Sequence, residues 1–218
     1  MPKPVLPARQ APDRAAALAQ YRRRAGVYDY ELALLEPIRH RAIRELGLHS
    51  GDVVLDVGCG TGLSFPLLME GIGKSGRIVG IEQSPEMLDL ARQRARQQGW
   101  HNVTLIGSPV ESAEVAITAD AALLHFTHDI LQRPEALANV LRHLRPGARI
   151  VASGLKWAGA PWQWPTNLLV LPAALRSVTS LGGLEAPWAG LTAAVPNLRV
   201  QSLLMGGVFV ASGTLLGP

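Results

Sequence analysis

From Ser50 onward, short runs of β-branched and other apolar residues alternate with longer segments whose apolar positions recur at helical spacing. This alternation is typical of βαβ units, in which helices cover both faces of a parallel sheet. The pattern therefore indicates an α/β fold. Five strands are predicted in this part of the chain, at residues 52–57, 77–82, 102–107, 119–126 and 148–154.

Several of the segments between these strands carry signals for the start of a helix. Ser84 is a predicted N-cap, Pro85 takes the first helical position, and Gly99 marks the end of the same helix. Further helices are expected to begin near Leu63 and near Pro134. Helices in these places would connect consecutive parallel strands.

The last part of the chain follows a different pattern. Two β-rich runs between Leu198 and Leu215 are separated only by Gly206 and Gly207, with no helical segment between them. A pair of glycines between two such runs predicts a hairpin. We therefore expect the parallel sheet to be completed by an antiparallel pair.

Composition excludes several classes of protein. The chain has 218 residues, of which 48% are hydrophobic and 17% are charged, so it has the apolar content for a sizeable core and is not disordered. Its single cysteine, Cys59, cannot form an internal disulfide, and the histidines lack the spacing of a zinc site. A reducing compartment and no metal are expected.

The apolar runs and the charge pattern bear on partners. No apolar run reaches the roughly 20 residues that a membrane-spanning helix needs, and the proline-rich start lacks a signal-peptide core. A cytoplasmic location is therefore expected. The whole net charge of +4 falls in residues 1–50, which hold nine Lys and Arg against five Asp and Glu. The run Arg22–Arg24 is typical of a solvated helix face, and without a long basic stripe no nucleic-acid partner is predicted.

A glycine-rich loop follows the first predicted strand. Gly58, Gly60 and Gly62 precede a helix, and glycine lets a ligand approach the bare backbone. A dinucleotide loop of the form G-x-G-x-x-G would place its third glycine at Leu63. The carboxylate of Asp56 would also repel a pyrophosphate, whereas it suits a cationic amine. The loop therefore disfavours a nicotinamide cofactor.

On these residues the chain resembles the class I S-adenosylmethionine-dependent methyltransferases, in particular small UbiE-like methyltransferase-domain proteins, over about residues 21–156 and 198–218. The resemblance implies one domain over residues 1–218, with a Rossmann-like, mostly parallel sheet of seven strands and an antiparallel final strand. It also implies that S-adenosylmethionine is the cofactor and that the loop from Asp56 to Gly62 wraps its methionine part.

Further cofactor-binding positions follow from the resemblance. Glu82 would accept hydrogen bonds from the ribose hydroxyls, and Gln83 and Met87 would flank the adenine ring, although helical spacing alone makes Met87 a core residue. After the third strand, Ser108 stands where the family usually has an aspartate that accepts from the adenine amino group. Val110 would supply a backbone N–H at the same edge of the ring.

Two more positions would lie near the methionine part of the cofactor. The resemblance places the backbone of His125 against it. It also places Tyr28 in a helical cap formed by residues 1–48, where its phenol would bind the methionine carboxylate. The alternative for Tyr28 is an aromatic contact that packs the cap onto the sheet.

The candidates for catalysis lie in the segment His125–Asp129, after the fourth strand. Methyl transfer from a sulfonium is an in-line displacement, so the protein must align the reactants and, for some acceptors, remove a proton. His128 is the candidate base, because histidine titrates near neutral pH, and Asp129 would orient it. The alternatives are a turn residue for His128 and a helix cap for Asp129.

The segment 157–190 follows the fifth strand and, by the resemblance, lies over the acceptor pocket. It contains four of the five tryptophans, of which Trp157, Trp162 and Trp164 are predicted to line that pocket. A packed cap is one alternative. Peripheral membrane docking, helped by Arg22–Arg24, is another, because indoles favour the bilayer interface.

Together these features predict a methyltransferase that transfers a methyl group from S-adenosylmethionine to an O, N or C atom of a small apolar or aromatic acceptor. Two alternatives remain open. One is a membrane-lipid methyltransferase that docks peripherally on a bilayer. The other is a non-catalytic protein that binds a nucleotide cofactor.

Overall fold

A computed structural model describes residues 35–177 and 181–216. Within these residues a single sheet of seven strands has the order β3-β2-β1-β4-β5-β7-β6. Every neighbouring pair from β3 to β5 is parallel, and β7 runs antiparallel to both β5 and β6. The predicted fold class is confirmed. The strands are β1 (Val53–Val57), β2 (Arg77–Glu82), β3 (Val103–Gly107), β4 (Ala119–His125), β5 (Leu144–Leu155), β6 (Arg199–Leu203) and β7 (Val208–Thr214).

Helices connect most of these strands. Ser84 caps its helix as predicted, since its side-chain oxygen accepts a hydrogen bond from the backbone N–H of Met87 at 3.4 Å. The helix expected near Leu63 begins at Phe65. The described helices are α1 (Glu36–Glu45), α2 (Phe65–Ile72), α3 (Pro85–Gln97), α4 (His128–Leu131), α5 (Pro134–Arg142) and α6 (Trp164–Ser177), with 3₁₀ turns at Val110–Ser112, Pro161–Gln163 and Pro187–Leu191. Among these helices none is long and apolar enough to cross a membrane.

The sheet separates two apolar cores. Successive residues of a strand point to opposite faces, and accordingly Val54 packs in one core while Leu55 packs in the other. Helices α1, α2 and α3 contribute buried residues to the core on the Val54 side, and α5 contributes to the core on the Leu55 side. Both faces are therefore covered, which explains why apolar residues predominate on both faces of the central strands.

The fifth strand is longer than its sequence predicts. The pair Ala119 and Leu144 is followed by the pair Ala121 and Arg149, so β5 has extra residues that bulge out of the ladder. Pro146 and Gly147 lie in this bulge. A proline cannot donate a ladder hydrogen bond, and a bulge accommodates it without breaking the strand.

The C-terminal hairpin is confirmed, but its turn differs from the expected two glycines. Strand β6 ends at Leu203 and β7 begins at Val208, so four residues form the turn. Leu204 and Met205 adopt positive φ values of 47° and 51°, in the region that favours glycine. Side chains other than glycine therefore occupy the strained part of the turn.

The buried side chain of Asn139 anchors α5 to the segment after β3, and this contact yields a stability prediction. Its amide donates to the carbonyl oxygens of Val110 at 2.5 Å and Ala113 at 2.9 Å. We expect Asn139→Ala to lower the free energy of unfolding by about 2–4 kcal/mol, because two buried carbonyls lose their donors. Urea denaturation measures this change. The exposed control Gln97→Ala should change it by less than about 0.5 kcal/mol, and an equal effect of both variants would contradict the anchor role.

Candidate functional site

The predicted site residues converge at one edge of the sheet because β1, β2 and β4 run parallel and end together. Asp56 pairs in register with Gly80 of β2 and with Leu123 of β4. The carboxyl ends of these strands therefore meet at one edge, where Asp56 and His125 line a cleft and Glu82 lies next to the glycine loop. Ligands bind at this edge in open α/β sheets.

The glycine loop connects β1 to α2 in a conformation that requires glycine. Gly58, Gly60 and Gly62 have φ values of 69°, 56° and 77°. A Cβ on Gly58 would lie 2.6 Å from Cγ2 of Thr127, and one on Gly62 would lie 2.5 Å from the ring of Phe65. Both the backbone angles and the available space exclude larger residues.

Glu82 joins this loop to the end of β2. One of its oxygens accepts from the backbone N–H of Gly60 at 3.0 Å, and the other accepts from the N–H of Ser84 at 2.7 Å. Burial raises the pKa of Glu82 above its ordinary value, while these backbone hydrogen bonds act in the opposite direction. Each carboxylate oxygen can accept a second hydrogen bond, so the group keeps capacity for a ligand hydroxyl.

Asp56 is a buried carboxyl group in the cleft with an incomplete set of hydrogen-bond partners. It is 2% exposed, and its Oδ2 atom has no hydrogen-bond partner among the described residues. Burial raises the pKa of Asp56 from 3.8 to about 7, the Arg39 guanidinium lowers it, and the Glu82 carboxylate raises it. A buried carboxyl oxygen without a donor indicates the place of a donor or a cation supplied by a ligand.

Arg39 is a residue of the cleft that the sequence analysis did not identify. It belongs to α1, is 2% exposed and pairs with Glu36, while its Nε atom has no partner among the described residues. It lines the same cleft as Asp56. Arg39 lies on the buried face of α1 beside Ile38 and Ala42, and a charged residue on an apolar helix face is exceptional. This position in the helical pattern could have identified Arg39 as a candidate site residue.

His125 ends β4 at the floor of this cleft. Its Nδ1 atom lies 2.7 Å from the hydroxyl oxygen of Ser153, its partner in the β4–β5 ladder. Burial and, to a smaller extent, the positive charge of Arg39 together lower the pKa of His125 from 6.5 to about 3. The imidazole is therefore neutral at physiological pH.

Phe126 lies between two cavities. It lines the cleft at the glycine loop and also a small second cavity. Its φ of 56° is unusual for an aromatic residue, and its N–H donates to the carbonyl of Ser153 at 2.7 Å. The second cavity is mostly apolar and is lined by Phe126, His128, Leu131, Ser153, Gly154, Leu155 and Phe209.

The structure places His128 in this second cavity and buries it. Its Nε2 atom lies 3.0 Å from the carbonyl oxygen of Gly182. Because a carbonyl can only accept, Nε2 carries the proton in the neutral ring and the basic lone pair is on Nδ1. Asp129 is half-buried in the first turn of α4, where Thr127 takes the N-cap position instead.

The predicted adenine-binding residues occupy different environments. Gly107 pairs with Glu82, which puts Ser108 beside the end of β2. The hydroxyl of Ser108 donates to the carbonyl of Pro109 at 3.0 Å. Val110 is buried in a 3₁₀ turn, Gln83 is half-buried, and Met87 is only 2% exposed. The depth of Met87 agrees with the core alternative, and Tyr28 lies outside the described residues.

The tryptophans of this segment do not lie together on one wall of a pocket. Trp157 is half-buried against Ala174 and Leu184, whereas Trp162 and Trp164 are 80% and 61% exposed. Trp188 packs against Phe209, with ring centroids 5.0 Å apart. The three tryptophans predicted to bind the acceptor are not among the described residues that line the second cavity, so their role stays a prediction.

These features define a class of protein. A seven-stranded sheet with one antiparallel strand, a glycine loop at the end of β1 and acidic residues at the ends of β1 and β2 form a Rossmann-like site for a nucleoside-containing cofactor. Across the described residues, no group of three or more His, Cys, Asp or Glu has the arrangement of a metal site.

Comparisons with known proteins identify the family. A family model described as a methyltransferase domain matches residues 48–172, more than half of the chain. The malonyl-[acyl-carrier protein] O-methyltransferase of Serratia marcescens is 31% identical over 156 residues, which cover 69% of this chain and 59% of that protein. The chloroplastic 2-phytyl-1,4-β-naphthoquinone methyltransferase of Arabidopsis thaliana is 31% identical over 144 residues, covering 60% of this chain and 54% of that protein.

Solved structures share the fold. The N-methyltransferase NodS of Bradyrhizobium japonicum WM9, in complex with S-adenosyl-L-homocysteine, has a TM-score of 0.67 at 17% identity and covers 91% of this chain and 98% of that one. The chain belongs to the methyltransferase-domain family, and S-adenosylmethionine is its cofactor. It spans between about half and three fifths of the length of the curated relatives it matches.

The residues of the cleft fit this cofactor. S-adenosylmethionine carries an ammonium and a carboxylate on its methionine part and two hydroxyls on its ribose. The cleft offers the unpartnered Asp56 oxygen and the buried Arg39 guanidinium, and the Glu82 carboxylate lies beside it at Gly60; each has the polarity that one of these groups requires. The positive-φ glycines Gly58 and Gly62 allow the loop to pack closely against Thr127 and Phe65 at the rim of this cleft.

The raised pKa of Asp56 predicts how the stability of the ligand-free protein depends on pH. The unfolded carboxyl loses its proton near pH 3.8, and the folded one loses it near pH 7. Between these two pH values the folded state binds more protons than the unfolded state. The free energy of unfolding therefore decreases as the pH rises toward 7. We expect Asp56→Asn to gain about 2–4 kcal/mol relative to the wild type between pH 4 and pH 7.

Urea denaturation of both proteins at several pH values between 4 and 8 measures this difference. Asp89→Asn is the matched control, because its carboxylate is 73% exposed. A constant difference between Asp56→Asn and the wild type over this range would show that Asp56 ionises normally.

Proposed function

We propose that the protein transfers a methyl group from S-adenosylmethionine to an O, N or C atom of a small apolar or aromatic acceptor. The observation that carries this proposal is the position of Phe126, which lines both the charged cleft and the apolar cavity. The cofactor would occupy the cleft and the acceptor the cavity. The two reactants would therefore meet at the end of β4, where the chain needs only to align them and exclude water.

In the cleft, each end of the cofactor meets a complementary group. Asp56 would accept from the methionine ammonium, and Arg39 would bind the methionine carboxylate as a charge-assisted partner. Glu82 would accept from the ribose hydroxyls while it continues to hold the glycine loop. Gly58, Gly60 and Gly62 would pass beneath the methionine part, next to the backbone of His125.

The remaining cofactor contacts are assigned by resemblance. Gln83 and Met87 would flank the adenine, and Ser108 and Val110 would contact its polar edge. Tyr28, from a helical cap over residues 1–48, would close the methionine end. Support for Ser108 is its place beside β2, one residue beyond the Glu82–Gly107 pair.

The acceptor class is argued from the lining of the second cavity. Two phenylalanines and two leucines line it, with the Ser153 hydroxyl and His128 as polar groups, a composition that suits an aromatic ring with a polar substituent. Relatives named as demethylmenaquinone and phytyl-naphthoquinone methyltransferases act on acceptors of this type. We propose a ring-bearing small molecule, not a nucleic acid, as the substrate of a cytoplasmic enzyme.

Residues 157–190 would cover this cavity. Support comes from two hydrogen bonds, one from the N–H of Trp157 to the carbonyl of Leu184 at 2.8 Å and one between His128 and Gly182. Both place residues 182–184 next to the cavity wall. Trp157, Trp162 and Trp164 are the residues of this cover that we propose to contact the acceptor or its substituents.

In the proposed mechanism the cofactor supplies an electrophilic methyl group on a sulfonium. Nδ1 of His128 would take the proton from an acidic acceptor group, while the Gly182 carbonyl fixes the ring through Nε2. Asp129 would stabilise the protonated ring from the neighbouring position. His125, which stays neutral, would not compete for the proton.

The cofactor assignment is tested by binding. Arg39→Ala and Glu82→Ala should each weaken the binding of S-adenosylhomocysteine about ten- to a hundredfold, since each removes charge-assisted contacts. Isothermal titration calorimetry measures the affinity. Arg44→Ala, which removes an exposed arginine from the same helix, is the control and should bind normally. Wild-type affinity in both test variants would refute the assignment of the cleft.

The role of His128 is tested with an acceptor panel. Transfer of a labelled methyl group to hydroxylated and ring-unsubstituted naphthoquinones should be detectable, and His128→Ala should lower its rate about 10²-fold for a protonated acceptor. The affinity for S-adenosylhomocysteine should not change. A variant with full activity would exclude His128 as the base, and reduced cofactor affinity would make it a cofactor-positioning residue.

A further inference from the structure

Gln132 lies one helical turn beyond His128, at the C-terminal end of α4. The backbone N–H of Gln132 donates to the carbonyl oxygen of His128 at 3.1 Å, so the two residues keep regular helical geometry. Side chains four positions apart lie on the same face of a helix. Both of these side chains contact residues 182–187 of the segment after β5, which we call the covering turn.

The amide of Gln132 contacts both ends of the covering turn. At one end, its Nε2 atom donates to the carbonyl oxygen of Pro187 at 3.4 Å. At the other end, Gly183 has a φ of 83°, and a Cβ on Gly183 would lie 2.3 Å from Oε1 of Gln132. Glycine therefore lets the backbone approach the amide closely. The amide holds the turn by a hydrogen bond and by packing.

The position of the covering turn determines which nitrogen of His128 carries the proton. Gly182, directly before Gly183, supplies the carbonyl oxygen that lies 3.0 Å from Nε2 of His128. Because a carbonyl can only accept, this contact favours the neutral ring that has its proton on Nε2. If the Gly182 carbonyl moved away, the preference between the two neutral tautomers would decrease.

The rest of the segment is anchored independently of Gln132. Leu184 and Pro187 are buried, and the N–H of Trp157 donates to the carbonyl oxygen of Leu184 at 2.8 Å. Trp188 packs against Phe209. Removal of the Gln132 amide should therefore loosen the Gly182 carbonyl without unfolding the segment.

We propose that Gln132 is a positioning residue for His128. By holding the covering turn, it keeps the Gly182 carbonyl against Nε2 and thereby keeps the basic lone pair of the imidazole on Nδ1. Gln132 is not among the described residues that line the apolar cavity, so it acts through His128 and not on the acceptor. Its contribution to catalysis rests on the proposed function, in which Nδ1 takes a proton from the acceptor.

Nuclear magnetic resonance of the full chain with isotope-labelled histidine tests the proposal without an acceptor. His128→Ala assigns the His128 resonances, and the wild type should show the Nε2–H tautomer. Gln132→Met keeps the length of the side chain and removes its donor, so it should raise the fraction of the Nδ1–H tautomer. Gln132→Glu should do the same, because a carboxylate cannot donate to Pro187.

Asn102→Ala is the matched control for a loss of stability. Asn102 is a half-buried amide that donates to the carbonyl oxygen of Gly76 at 2.7 Å, at the opposite edge of the sheet. This variant should have a lower melting temperature and the wild-type tautomer of His128. The proposal is overturned if both Gln132 variants keep the wild-type tautomer, or if Asn102→Ala shifts the tautomer equally.

Methyl transfer to a hydroxylated naphthoquinone measures the catalytic contribution. Gln132→Met should lower kcat about tenfold, while KM and the affinity for S-adenosylhomocysteine stay unchanged. An unchanged kcat together with an inactive His128→Ala variant would overturn this contribution. If the Gln132 variants shift the tautomer while His128→Ala keeps full activity, the positioning of the ring stands and the proposed role of His128 as the base fails.

Discussion

The Glu82 carboxylate is the contact on which the site depends most directly. Its two oxygens hold the N–H groups of Gly60 and Ser84, which join the glycine loop, the end of β2 and the N-terminus of α3. The N–H groups of Gly58 and Cys59 also donate to the carbonyl oxygen of Ile81, so the carboxylate and the backbone of β2 together hold the loop against the second strand. The same group that we assign to the ribose therefore also shapes the cleft that receives the cofactor.

The buried charged groups in this cleft destabilise the folded protein, but they also provide polar partners for a ligand. Burial raises the pKa of Asp56, and the Arg39 guanidinium lowers it by more than the Glu82 carboxylate raises it. A well-packed core would avoid such groups, because an unpaired buried charge destabilises the folded state. A ligand that carries both an ammonium and a carboxylate, as proposed for this cleft, would complete the electrostatic pairing.

The end of β4 separates this polar cleft from an apolar cavity. Phe126 lines both, and its positive φ is maintained by the hydrogen bond between its N–H and the Ser153 carbonyl. The adjacent segment 157–190 has a divided role, because Trp188 belongs to the core while Trp162 and Trp164 face outward.

The sequence by itself determined the α/β class, the strand positions, the Ser84 cap and the glycine loop, because these depend on local periodicity and on residues that act within a few positions. It did not reveal Arg39 as part of the cleft, nor the bulge at Pro146, the four-residue turn at Leu204 or the outward position of Trp162. Each of these depends on what packs against the residue from a distant part of the chain. Only the tertiary structure decided them, because burial, strain and charge pairing arise between elements rather than within them.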